Sequence, residues 1–502
     1  MGKHRISDLG SVALLLFALL ADDIWARPTT PYEAELAVTG WLADNNEPLG
    51  IPLGREIVAV ETVADDGGEI LYYLARLSPS GFVIVPADDE VEPILTFTDA
   101  QDYDPSTQDP LTVLVTQDVR RRLAEAYAGP AGPLQAQSVT AAQVKWCALI
   151  GRAGSTQTDF GVFGKQTISD VRVAPFVKSC WSQGEVCSHY TYNYYTPNHY
   201  VAGCAATAMA QLLFYHRYPV EGVGRHPFTI RVLDVNQVAY TRGGNGSGGP
   251  YRWDDMVAAP DCSTTAGQRA AIGALCYDVG VAAQTEYGPR ASSTDSAAIV
   301  AAFKEVLGFS NAIRGANDGA TIGDSLTAMI NPNIDARNAV ILGIRSSVGH
   351  AVVVDGYGYD QSGQTRTLYH HLNMGWAGRA NIWYNLPDIL DFEVITTCIY
   401  NVFTEGKGEI ISGRVVDAAG RPLVGAAVTA TRWPYDYVDA TDDKGLYALV
   451  RVPSATTFSL RAEKPGFTFT RQTITTGTSR DRENLTGNRW AVDFTGRPVA
   501  GD

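Results

Sequence analysis

A chain of 502 residues is long enough for about three domains. Its 45% hydrophobic and 10% aromatic content belongs to folded globular material, which excludes a disordered chain. Lys+Arg 39 against Asp+Glu 54 leaves a net charge of −15, which repels phosphate backbones and argues against a nucleic-acid partner.

Lys3, His4 and Arg5 precede a ten-residue apolar run from Val12 to Ala21. That run is too short to span a bilayer but suits the core of a secretory signal, so residues 1–26 read as a signal peptide and the protein as secreted, extracellular or periplasmic. No later stretch approaches about 18 consecutive apolar residues, so no membrane span is expected.

The apolar runs Leu71 to Leu77 and Phe82 to Val85, separated by Ser78-Pro79-Ser80-Gly81, predict a hairpin. Asp109-Pro110 opens a helical pattern through Val113, Val115, Val119 and Leu123 that ends near Gly129. Ala128 to Ala142 is rich in Ala, Gly, Pro and Gln without apolar periodicity, and reads as an exposed, cleavable linker. Residues 27–150 thus read as a separable unit with its linker. A middle block, 165–405, carries most of the Tyr and His residues. Beyond it, short β-type runs at Glu409–Asp417, Gly425–Thr431 and Gly445–Val450, with turns at Asp417–Gly420 and Asp442–Gly445, predict a small β-sandwich over 409–502.

Seven cysteines in an exported chain permit disulfides and leave at least one thiol unpaired. The short loops favour Cys180–Cys187 or Cys262–Cys276 as bridges. Cys204 opens a helix-forming run after Gly203, where free N–H groups and the helix dipole favour a thiolate. His350 stands at the mouth of the β-branched run Ala351 to Val354, a rigid place for a base that must meet a thiol. Strand alternation turns Asp355 away from the His350 side. Asn373, 23 residues on, offers an amide to orient the His350 ring, and Trp376 could shield that bond. Gln183, in Trp181-Ser182-Gln183, can donate to an oxyanion beside the Cys204 backbone N–H.

WSQ, GCAATAMAQLLFYHRYP, GHAVVVDGY and NMGW, taken together, resemble the streptopain-like cysteine peptidases. Ser80-Gly81-Phe82-Val83-Ile84-Val85-Pro86-Ala87-Asp88 is similar to that family's inhibitory prodomain. The resemblance implies an α+β, papain-like peptidase domain, preceded by an α+β prodomain and made as a zymogen. It implies Cys204 as nucleophile, His350 as base, Gln183 in the oxyanion hole and Asn373 as orienter. The chain departs from the family pattern at Met374, which stands where the family carries Trp. The segment from Ser412 through Tyr447 resembles the carboxypeptidase regulatory-like sandwiches, which implies an accessory domain without chemistry of its own.

The expected function is a secreted, autoinhibited cysteine endopeptidase acting on proteins or peptides, with its own propeptide as inhibitor and no metal or other cofactor. Two alternatives are a catalytically impaired binding protein on the same scaffold and a Cys/His peptidoglycan amidase. Three further features are set aside. The glycine-rich run Gly243–Gly249 lacks a phosphate-loop Lys and reads as a mobile loop. His216 lies too far along its helix from Cys204 to be the base, about 18 Å. His370 and His371 point to opposite sides of a strand and make a poor metal pair.

Overall fold

The computed structural model describes residues 27–43, 47–100, 103–107, 110–127, 140–153, 168–316, 325–344, 349–362, 365–379, 381–386 and 395–499. The expected signal peptide and residues 128–139 of the expected linker lie outside the described residues.

The N-terminal unit contains helix α1 (Pro31–Ala43) and strands β1 (Glu56–Ala64), β2 (Ile70–Ser78), β3 (Phe82–Pro86) and β4 (Thr96–Thr98). Helices α2 (Pro110–Tyr127) and α3 (Ala141–Ala153) follow. The expected hairpin is β2–β3, with Tyr73 opposite Val85. The expected helix from Pro110 is α2. The last two residues of the expected linker belong instead to α3, which the sequence hid because its apolar positions, Trp146 and Leu149, are few. Those two side chains pack with Ala34, Ala37, Val38 and Trp41 of α1. The backbones come so close that a Cβ on Gly40 would lie 1.9 Å from the Leu149 carbonyl oxygen.

The middle block begins with β5 (Ile168–Val173) and the small hairpin β6 (Glu185–Val186) and β7 (His189–Tyr190). Its helical part comprises α4 (Cys204–His216), α5 (Ala266–Ala282) and α6 (Ser296–Glu305), with a side sheet of β8 (Pro227–Val232), β9 (Val235–Tyr240) and β10 (Glu286–Tyr287). A capping box of Thr265 and Gln268 starts α5, and the Asp295 carboxylate starts α6. The rest is β11 (Asn311–Ala316), α7 (Ser325–Asp335), β12 (Val340–Ile344), β13 (His350–Ser362), β14 (Thr365–Asn373), β15 (Ile382–Tyr384) and β16 (Ile395–Phe403).

These strands join the N-terminal ones in one sheet, ordered β1-β2-β3-β4-β15-β14-β13-β12-β16-β11, with β5 also on β13. The joint is antiparallel, with Phe97 opposite Trp383 and Thr96 opposite Tyr384. The N-terminal unit thus shares a sheet with the middle block, which completes its edge strand. Buried polar contacts reinforce the joint. The Trp41 indole N–H donates to Asp360 at 3.0 Å, and the Tyr384 hydroxyl donates to Asp118 at 2.6 Å.

Strand β13 divides two cores, as its alternation requires. Val352 and Val354 face a core shared with β12, β14, α7 and the N-terminal unit. Ala351 and Val353 face a second core built on α4, α5 and α6. A residue at the start of β13 thus stands where the two halves meet.

The C-terminal part carries β17 (Glu409–Asp417), β18 (Ala427–Arg432), β19 (Tyr435–Ala440), β20 (Leu446–Val452), β21 (Thr457–Glu463), β22 (Phe467–Thr468), β23 (Gln472–Thr475) and β24 (Phe494–Pro498). They form two four-stranded sheets, β20-β17-β24-β22 and β19-β18-β21-β23, over a common apolar core. The two expected turns close through Asp side chains. Asp417 accepts from Ala419 and Arg421 N–H groups, and Asp442 from those of Lys444 and Leu446. The sandwich is fastened to the middle block by a buried polar seam. Asn401 links Asn333 of α7 to Asn488, and one Asp335 carboxylate accepts from both Tyr357 and Ser412 hydroxyls at 2.7 Å. Burial there pushes Asp335 up to about 7.

Candidate active site

Helix α4 starts at Cys204 itself, and Gly203 before it holds φ at +92°, a left-handed angle that favours glycine. A Cβ on Gly203 would also meet the Ser292 carbonyl oxygen at 2.9 Å. No side chain caps this helix, so its first N–H groups stay available to an anion. The Cys204 sulfur is partly exposed. Burial acts to raise the thiol, but the charge of the nearby His350 ring, with the backbone of Ala205 and Ala351, outweighs it. The net shift is downward, towards thiolate. The other four free thiols, Cys147, Cys180, Cys276 and Cys398, are all pushed up by burial.

His350, the first residue of β13, is held by its second nitrogen. Its Nε2 lies 3.0 Å from the Met374 carbonyl oxygen. A carbonyl only accepts, so Nε2 carries the proton and Nδ1 is left to the thiol. The expected orienter thus differs from the observed one. Asn373 turns its amide away from the ring, donating to the Ser179 carbonyl at 2.8 Å and accepting from Gly375 N–H at 3.1 Å. It shapes the loop, and the backbone of the next residue meets His350. Asn381 adds support by accepting from Met374 N–H at 3.2 Å. The sequence carried no signal for a main-chain acceptor.

Met374, where the resemblance led one to expect Trp, is buried in the sheet core. Trp376, two residues later, stands edge-on to the His350 ring with centroids 6.4 Å apart. The aromatic cover over the base is therefore present, displaced along the loop. The segment 179–183 runs beside the start of α4. The Trp181 carbonyl accepts from Ala377 N–H, the Ser182 carbonyl from the Thr207 hydroxyl, and the Gln183 carbonyl from Ala202 N–H at 2.8 Å. Gln183 is thereby fixed two residues from the turn into Cys204. Trp181 itself stacks on Phe214 of α4 at 4.9 Å.

The disulfide corrects both expected pairings: Cys187 is bridged to Cys262, 75 residues away. The cause lies in the fold. Cys180 N–H donates to the Ala258 carbonyl and the Trp181 indole to the Val257 carbonyl, which brings the 257–262 loop against this segment. Cys276 meanwhile faces the helical core. The glycine-rich loop is also pinned rather than mobile. The Asp278 carboxylate accepts from Arg242 and Gly243 N–H groups, and Asn245 from those of Ser247 and Gly249. His216 is half-buried, and that burial pushes it down to about 4, which leaves it neutral. His370 pairs with Asn331, and His371 with Asp355, so the two histidines diverge as expected. Among the described residues no cluster of three His, Cys, Asp or Glu is placed to hold a metal, and no helix is long and apolar enough to cross a membrane.

Residues 181–384 match the Peptidase C10 family, residues 26–122 the Spi protease inhibitor family, and residues 410–486 the carboxypeptidase regulatory-like domain. Streptopain from Streptococcus pyogenes serotype M1 is 26% identical over 333 residues, covering 64% of this chain and 75% of that protein. Over these residues the chain is similar to the streptopain-like cysteine peptidases. The thiol protease/hemagglutinin PrtT from Porphyromonas gingivalis is 24% identical over 180 residues, covering 36% of this chain and 20% of that protein. A prointerpain A fragment from Prevotella intermedia shows 18% identity and a TM-score of 0.48, covering 68% of this chain and 97% of that one. The active interpain A gives 23% identity and a TM-score of 0.38, covering 46% and 94%. The middle block, which carries the Peptidase C10 match, mixes helices with sheet, and the sandwich follows it.

The lowered thiol has a direct readout. Iodoacetamide should alkylate Cys204 well below pH 8, whereas Cys147 and Cys180 should react only as pH rises towards and beyond their raised values. Peptide mapping of the labelled protein checks this, and equal labelling of all three at pH 6.5 would contradict it.

Proposed function

We propose that the protein is an exported cysteine endopeptidase zymogen whose nucleophile is Cys204. The observation carrying this reading is the Cys204 thiol, lowered by the nearby His350 ring at a helix start that no side chain caps. The thiolate attacks the scissile carbonyl carbon, and the C=O electron pair moves onto oxygen. Cys204 N–H and the Gln183 amide stabilise that oxyanion. His350 gives its Nδ1 proton to the leaving amine, and the acyl group stays on sulfur as a thioester. His350 then takes a proton from water, whose oxygen attacks the thioester, and the thiolate leaves. Throughout, Met374 holds Nε2–H, so that the ring turns the same nitrogen to the thiol in both steps. Trp376 beside the base supports this reading over a catalytically impaired scaffold.

Export is supported by the signal-like start of the chain and by the surface bridge Cys187–Cys262, which suits an oxidising compartment. Autoinhibition is supported by the Spi-type match and by the shared sheet. The inhibitory unit reaches the wall that carries His350: the Thr98 hydroxyl donates to the Asn381 carbonyl at 2.7 Å, and Asn381 holds Met374 N–H. Tethering at roughly millimolar effective concentration keeps even a weak inhibitor in place.

Cys204→Ser should abolish peptide hydrolysis and leave the chain unprocessed, and Gln183→Ala should lower kcat about 10²–10³-fold with little change in KM. Peptidase kinetics on the two variants decide: retained activity in the first, or a pure KM effect in the second, contradicts the assigned role. Residues 27–153, which include α3, should inhibit the mature enzyme in trans, and residues 27–127 should inhibit more weakly. Equal inhibition would remove α3 from the inhibitory unit.

A further inference from the structure

The catalytic groups come from three pieces of chain: α4 with Cys204, the segment 179–183 with Gln183, and the loop 373–376 with the Met374 carbonyl. One buried side chain touches all three. Gln211 lies on α4 seven residues after Cys204, two turns along the same helix face and about 10 Å away. It is fully buried, among the apolar residues Met209, Leu212 and Leu213. Its Oε1 accepts from the Ser179 hydroxyl at 3.0 Å, from Asn373 Nδ2 at 3.2 Å and from Trp181 N–H at 3.4 Å. Its Nε2 donates to Asn373 Oδ1 at 3.3 Å. The two amides therefore face each other reciprocally, each donating to and accepting from the other. Asn373 then spends its remaining capacity on the Ser179 carbonyl and the Gly375 N–H.

We propose that Gln211 is a positioning residue for the peptidase reaction, acting through the Gln211–Asn373 amide pair to set the Met374 carbonyl against His350 and the 179–183 segment against Cys204. This rests on the reading of Cys204 and His350 as the reacting pair. An amide with both functions in use fixes direction as well as distance, because an apolar side chain of the same size leaves Asn373, Trp181 N–H and the Ser179 hydroxyl short of partners. Asn373 would then be free to rotate, and the backbone it shapes, from Asn373 to Gly375, carries the acceptor for His350. The residue is absent from the reacting centre, so its loss weakens the thiolate–imidazolium pair without removing either member.

The test uses the full-length chain and a small alkylator, which needs no prior activation. The rate of Cys204 alkylation by iodoacetamide is measured against pH in the parent and in Gln211→Met, with the label located by peptide mapping. The proposal expects the low-pH limb to move to higher pH in Gln211→Met, with a rate about 10-fold lower at pH 6.5. After processing, kcat should fall by a similar factor with KM nearly unchanged. A lowered unfolding temperature with an unchanged alkylation profile and kcat would overturn the proposal, since that is the signature of packing alone. If Gln211→Met is not recovered folded, Asn373→Leu breaks the same pair from the loop side. The same shift is then expected, and an unchanged profile is equally contrary. A parent chain in which Cys204 shows no enhanced reactivity below pH 8 would instead sink the reading of the active site itself.

Discussion

The electrostatic pairing of the Cys204 thiol with the His350 ring joins two separately built halves of the molecule, and the other features of the site serve it. Cys204 belongs to the helical core and His350 to the strand that divides the two cores. Neither core alone brings a sulfur and an imidazole together. The uncapped start of α4 supplies N–H groups that favour the anion, and the Met374 carbonyl selects which ring nitrogen meets it. Charge on one partner is stabilised by the other, so a thiolate persists in surroundings whose burial alone would suppress it.

The same strand ties the site to the rest of the chain. Strand β13 pairs with β14, β12 and β5, and through β15 the sheet runs on into the N-terminal unit. That junction is polar as well as apolar: the buried Lys145 amine meets Glu92 and the Thr367 hydroxyl, and Arg122 is bonded to Asp118 and Asn385. Buried ion pairs of this kind add little net stability, but a docking geometry that separated the partners would leave buried charges unpaired. On the opposite side, Asp335 and the Asn333–Asn401–Asn488 chain give the sandwich a fixed seat on α7 and β16. The three parts share buried polar seams and are not beads on a string.

The placement of Cys204 at a helix start and of His350 at a strand start was legible because local sequence sets it: a glycine before a helix-forming run, and a Gly-His pair at the mouth of a β-branched one. The hairpin β2–β3, helix α2 and the Asx turns of the sandwich were legible for the same reason. What escaped is decided at long range. Cys187 pairs with Cys262, 75 residues away, because bonds from Cys180 and Trp181 hold the 257–262 loop against its segment. The orienter of His350 is a main-chain carbonyl, and a backbone atom leaves no residue-type signature. The continuity of the inhibitory unit with the peptidase sheet was hidden because β4 and β15 are three residues each. Gln211 left a trace: a polar residue among apolar ones, at i+7 from the nucleophile.

The central claim is that Cys204 carries the acyl group during turnover. Mixing the mature enzyme with a peptide ester whose thioester hydrolyses slowly, quenching in acid and weighing the intact protein tests it directly. The account predicts a mass increase equal to the acyl group, mapped to the peptide containing Cys204 and lost on incubation at neutral pH. A turnover-competent enzyme with no adduct, or with the acyl group on another residue, would contradict it.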